Sequence, residues 1–271
     1  MKCAIILAAI LIVAISGGII FGLGKHFVSI RGQHLERYHY SSGGGMPGGY
    51  YSMTVKRTDD GRAYICSEQA DWHSQDPTIS EYIVDASILD ELESVVRKYK
   101  MNFWNRKTFS RMLILDGESS GYSFQFDDGD IDFSSQHYPM KYREKLRKLD
   151  DVITTYLQNA EPLPGLVNPN REEPESFSLT ENELKLYVCA YRENTLEVRI
   201  LNGCEEDTVL PYTYRLTDMD TAELIAAQDD DDTMTIHPGS WDEMNIRLEE
   251  RLDAGHYQLT LGEHVIPFEI R

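Results

Sequence analysis

Residues 111–159 read RMLILDGESSGYSFQFDDGDIDFSSQHYPMKYREKLRKLDDVITTYLQN, and their order decides the fold. Arg111–Asp116 and Gly121–Phe126 have the alternation of strands, and Asp127-Asp128-Gly129 is a turn into a third strand, Ile131–Ser134. Pro139 suits the start of a helix, and the run Met140–Asn159 follows it. Tyr142, Leu146, Leu149, Ile153, Tyr156 and Leu157 recur there at helical spacing and mark one buried face.

Working outward, the residues before this stretch repeat the same order. Strand Tyr50–Arg57 turns at Asp59-Asp60-Gly61 into Arg62–Glu68, and Ile79–Asp85 makes a third strand. A helix then starts with Ser87 as N-cap and runs to about Lys100, with Ile88, Leu89, Leu92, Val95, Val96 and Tyr99 on its apolar face. The order βββα-βββα predicts an α+β domain over residues 50–160, its helices covering one face of an antiparallel sheet. At Leu113-Ile114-Leu115-Asp116-Gly117, Phe126-Asp127-Asp128-Gly129 and Tyr138-Pro139 this region resembles an uncharacterised domain of exported bacterial proteins. The resemblance spans about residues 45–160 and implies an envelope address without an activity.

Residues 25–49 read as a tether that ends Ser41-Ser42-Gly43-Gly44-Gly45-Met46-Pro47-Gly48-Gly49. Gly43, Gly45 and Gly48 match GxGxxG in letters, but Pro47 interrupts them and a strand follows, so no helix N-terminus awaits a pyrophosphate. His34 and His39 stand five apart with Glu36 misplaced for HExxH. Ahead of the tether lies CAIILAAILIVAISGGIIFGL, residues 3–23, without a charge. At about 1.5 Å per residue it is long enough to cross a hydrocarbon core of roughly 30 Å. An uncleaved transmembrane helix fits it better than a signal peptide, because Ile19, Ile20, Phe21 and Leu23 prolong the apolar core past the small residues at Ala14–Gly17. Lys25, Arg31 and Arg37 slightly oppose an outward body, yet long domains translocate largely regardless of such counts. The expectation is a single-pass membrane protein with an extracytoplasmic body.

On the C-terminal side, Pro162, Pro164, Gly165, Pro169 and Pro174 make residues 161–175 a linker. Beyond it every segment reads as β: Leu184–Tyr191, Thr195–Leu201, Tyr212–Thr217, Thr233–Ile236, Met244–Leu248, His256–Leu261 and His264–Ile270. That density of short strands predicts a β-sandwich over residues 176–271. The stretches Leu196–Asn202, Tyr212–Leu216, Ile236–Ser240 and Ala254–Tyr257 resemble a bacterial immunoglobulin-like domain of surface proteins. The resemblance implies a spacer or binding module, and departs at Thr221–Asp232, where a long acidic insertion stands in place of a shorter turn.

The 41% hydrophobic and 26% charged composition allows a buried core and excludes a wholly disordered chain. Of the net charge of −19, residues 167–271 carry 8 Lys+Arg against 24 Asp+Glu, net −16. So negative a surface repels phosphate backbones, which argues against nucleic acid and leaves basic protein surfaces or cations. Cys189 and Cys204 are held apart by the hairpin at Arg192–Thr195, which sets Cys189 against Val198, so they stay reduced unless the chain doubles back after Gly203.

Candidate chemistry is sparse. Asp128-Gly129-Asp130-Ile131-Asp132 starts like a calcium loop, but Phe133 and Pro139 fill the positions that need Gly and Glu. Asp229, Asp230, Asp231 and Asp232 are weak candidates for a calcium-binding loop, and Trp72 with His73 for a recognition loop. No cofactor is implied. The leading reading is a non-catalytic envelope protein, a spacer or a binder of another envelope protein. The alternatives are an envelope hydrolase using His73, Asp116 and His137, and a calcium-dependent binding module.

Overall fold

The structure is a computed structural model that describes residues 28–44, 49–71, 77–109, 119–167 and 183–271. The apolar run 3–23, the strand expected at Arg111–Asp116, and Trp72 and His73 lie outside the described residues. Within them no helix is long and apolar enough to cross a membrane. The described chain is mostly antiparallel β-sheet with two α-helices.

It divides into two compact units. The first is built from the described parts of Met1–Pro47, Ser52–Ile65 and Ile83–Ala160, the second from those of Gly48–Tyr51, Cys66–Tyr82 and Glu161–Arg271. The strands are β1 (Leu35–Gly43), β2 (Gly49–Arg57), β3 (Arg62–Asp71), β4 (Thr78–Asp85), β5 (Lys107–Thr108), β6 (Ser119–Phe126) and β7 (Gly129–Ser135). They form one sheet in the order β4-β3-β2-β1-β6-β7-β5, with β5 parallel to β7. Helices α1 (Ser87–Lys98) and α2 (Met140–Leu157) follow β4 and β7.

The expected tether is corrected here: residues 35–43 form β1, an interior strand paired with β6 along its length. Leu35 and Tyr38 are fully buried, and Tyr38 packs on Phe124 with ring centroids 5.3 Å apart. The His34–His39 text that invites comparison with a metal-binding helix is thus largely strand. Alternation along β6 and β7 buries Phe124, Phe126, Ile131 and Phe133 on one face, and α2 buries Leu146, Leu149 and Ile153.

Ser87, expected as the N-cap of α1, is instead its first helical residue. Its N–H donates to Asp85 Oδ1 at 2.8 Å and its hydroxyl lies 2.7 Å from Tyr156 Oη of α2. The helix buries Ile88, Leu89, Leu92 and Val96 and stops at Lys98, because Lys100 turns left-handed at φ 52°.

The second unit holds β8 (Leu184–Arg192), β9 (Thr195–Asn202), β10 (Thr208–Pro211), β11 (Tyr214–Asp218), β12 (Leu224–Gln228), β13 (Thr233–Ile236), β14 (Trp241–Arg247), β15 (Gly255–Leu261) and β16 (His264–Ile270). These make sheets β12-β11-β15-β16, β14-β9-β8 and β10-β13, and one apolar core draws on all three. Two elements correct the sequence reading. Residues 208–211 form β10, and the segment expected as an acidic insertion contains β12.

The hairpin between β8 and β9 turns through Glu193 and Asn194, both at positive φ, as a two-residue hairpin requires. Cys189 does not face Val198. It is the extra residue of a bulge, Val188 pairs with Val198 instead, and the Cys189 thiol points to Glu197 O at 3.3 Å. Among the described residues, Cys66, Cys189 and Cys204 form no disulfide. The described part of the proline-rich linker is bonded to β16: Gly165 exchanges two backbone hydrogen bonds with Arg271, and Val167 N–H donates to Glu269 O.

Candidate functional site

Of the three residues expected for a hydrolase, His73 and Asp116 lie outside the described residues and His137 lies within them, in the turn from β7 into α2. A cleft of about 320 Å³ opens there between β6 and α2, lined by Ser120, Tyr122, His137, Arg143, Arg147 and Asp150 among others. Arg143 Nη2 approaches both imidazole nitrogens of His137 at 2.8 Å, and Arg143 Nε donates to Tyr138 O at 2.7 Å. A guanidinium has only donors, so the nitrogen facing it accepts. The arrangement orients the imidazole and occupies its lone pair; it does not set a nucleophile beside it. Burial pushes the Tyr122 and Tyr138 hydroxyls far above the ordinary phenol value, with Asp150 adding to Tyr122. The Asp150 carboxyl is itself raised, first by burial against this wall and then by Asp151, while Arg147 opposes both.

Asp229–Asp232, the candidates for calcium, follow β12 without converging. Asp230 spends its carboxylate on the Asp232 N–H at 3.0 Å and on Gln228 Nε2 at 3.3 Å, and its backbone is tied to Thr213. Among the described residues no three His, Cys, Asp or Glu side chains gather as a metal site.

The opposite face of the β1-β6-β7 sheet carries a second arrangement, which a linear reading misses. Register places His39 opposite Ser123 and Ser123 opposite Asp132; two residues along, Ser41 faces Gly121 and Gly121 faces Ser134. These six share the face not used by Tyr38, Phe124 and Phe133. With Arg106 they line a concavity of about 400 Å³. A histidine, a serine and an aspartate stand side by side, but serine is in the middle, so the row lacks the acid–histidine–serine order of an acyl-transfer triad, and His39 Nδ1 lies 3.0 Å from Thr54 Oγ1. The row suits binding rather than acyl transfer. Only period-two alternation hints at it in the sequence, and that signal names the face without naming the neighbours.

The third feature is β12. Among the described residues it ends its sheet and pairs on one side only, with β11. A bulge between Leu216 and Thr217 leaves Ile225 out of register, and Leu224 and Ile225 are 55% and 40% exposed. Residues 216–232 around it contain seven Asp or Glu and no Lys or Arg. Asp218 caps the turn into β12 by accepting from Asp220 N and Thr221 N. Asp220 holds the turn to β15 through His256, whose N–H lowers the Asp220 carboxyl from its ordinary value.

No protein-family model matches this chain, and no curated protein sequence matches it.

Proposed function

We propose that the protein is a membrane-tethered, non-catalytic binding protein of a bacterial envelope, whose C-terminal unit, an immunoglobulin-like sandwich, takes an extended basic segment of a partner protein onto β12. The α+β unit and the apolar run 3–23 complete the reading as support and anchor.

The observation that carries it is an apolar sheet edge inside an acidic frame. An unpaired edge offers a row of backbone donors and acceptors to an added strand, and Leu224 and Ile225 offer apolar contact beside it. The frame selects the occupant. A second copy paired antiparallel about Ala226 would set Glu223 opposite Asp229 at both ends, and like charges directly opposite repel. A strand flanked by Lys or Arg meets attraction at the same places.

The test is a titration of the full chain with a Val/Thr-alternating peptide flanked by lysines, against the same peptide flanked by glutamates. The lysine peptide binds, and Ile225→Lys weakens it by about tenfold or more, a loss of about 1.4 kcal/mol. Equal binding of both peptides, binding of neither, or indifference to Ile225→Lys overturns the reading. The address has its own test: protease added to intact cells degrades the body, and protection until lysis places it in the cytosol.

A further inference from the structure

We propose that the concavity on the face of β1, β6 and β7 opposite Tyr38 and Phe124 binds a small acidic sugar, a ring compound that carries hydroxyls and one carboxylate.

Three observations converge on it. The first is the chemistry of the lining. Arg106 supplies a forked cation, Asp132 a pure acceptor for ligand hydroxyls, and Ser41, Ser123 and Ser134 groups that both donate and accept, around a volume of about 400 Å³. Neither Arg106 nor Asp132 forms an ion pair with any described residue, although both line the same hollow. Such a set pairs with a carboxylate at one end and hydroxyls along the rest.

The second is the backbone of Arg106, which lies in the left-handed region at φ 54°. The turn that holds it there is bolted to β7 from both sides. Arg106 N–H donates to Asp132 O at 2.5 Å, and Asp132 N–H donates to Asn105 Oδ1 at 2.9 Å. Glycine takes this conformation without strain, so the strained arginine points to its side chain.

The third is Gly121, at the floor. It sits inside β6 with partners on both sides and no positive φ. A Cβ added there would meet Ser41 Oγ at 3.6 Å and Ser134 Cβ at 3.9 Å, which is ordinary contact. The fold therefore does not require glycine, which weakens a strand interior, whereas close approach of a ligand does.

The third observation supplies a test that separates binding from folding. The full chain is titrated calorimetrically with D-glucuronate, with D-glucose and acetate as controls, and melted in parallel. Glucuronate binds at millimolar concentration more tightly than either control. Arg106→Gln weakens it about tenfold or more. Gly121→Ala abolishes it while the melting temperature holds or rises, since alanine suits the strand. Absence of glucuronate binding, acetate binding as tightly as glucuronate, or a Gly121→Ala protein that melts lower overturns the proposal.

Discussion

Glu81 is the charged side chain sunk deepest among the described residues, 3% exposed. Its carboxylate accepts from Arg251 and from the Glu193 N–H at 2.9 Å, and Arg251 in turn donates to Pro164 O at 2.6 Å and lies over the Tyr191 ring at 5.1 Å. Removing one member strands the other charge, so Glu81→Ala lowers stability by about 3–5 kcal/mol in denaturant unfolding, and a Glu81→Gln/Arg251→Met pair loses less than Glu81→Ala. Asp150 behaves in the opposite sense. Its carboxyl is raised in the native state, so ionising it costs stability, and that cost is relieved as pH falls through the raised native value. Asp150→Asn therefore melts higher than the parent at pH 7, and the gain shrinks as pH falls through the raised native value and is gone below about pH 3.9, where the unfolded carboxyl is protonated too. A variant that melts lower at pH 7 rules this account out. Neither residue announces itself in the sequence, where Glu81 is one acid in a strand and Asp150 one in a charged helix. Burial gives each its character, and burial follows from packing.

Among the elements, both helices and most strands are legible because their periodicities are local: Leu146, Leu149 and Ile153 identify the inner face of α2 from spacing alone. Ends are less legible. The first helix stops two residues before the position its pattern suggests, since Lys100 takes the left-handed conformation that glycine fills without strain. Lys100→Gly raises stability by about 1 kcal/mol, measured by denaturant unfolding. β1 and β12 escape pattern reading for different reasons. The polar His39, Ser41 and Ser42 of β1 obscure Leu35 and Tyr38, and what makes it an interior strand is its pairing with the distant β6. β12 is five residues with two alanines between acidic runs, and its strand character comes from β11. Because Leu224 and Ile225 are exposed, Ile225→Lys changes stability by no more than about 0.5 kcal/mol while weakening peptide binding. A large loss of stability would show that Ile225 serves the fold.

At the scale of the whole chain, charge is the property with the longest reach. The net −16 of residues 167–271 attracts positive charge, and this attraction is screened over about 10 Å at 0.1 M salt. Affinity for the lysine-flanked peptide therefore falls as salt rises, through slower association above all, and a salt-independent affinity would detach the acidic frame from recognition. By itself the amino-acid sequence determined the charge, the apolar run, the helical faces and the β character of the C-terminal half, since each depends on residues close together in the chain. Tertiary structure alone decided that His39, Ser123 and Asp132 stand in one row, that Glu81 meets Arg251, and that β12 lies at an edge. These are matters of pairing between strands distant in sequence. Side-chain alternation names the face a residue shares, but only the hydrogen-bonded register names its neighbour.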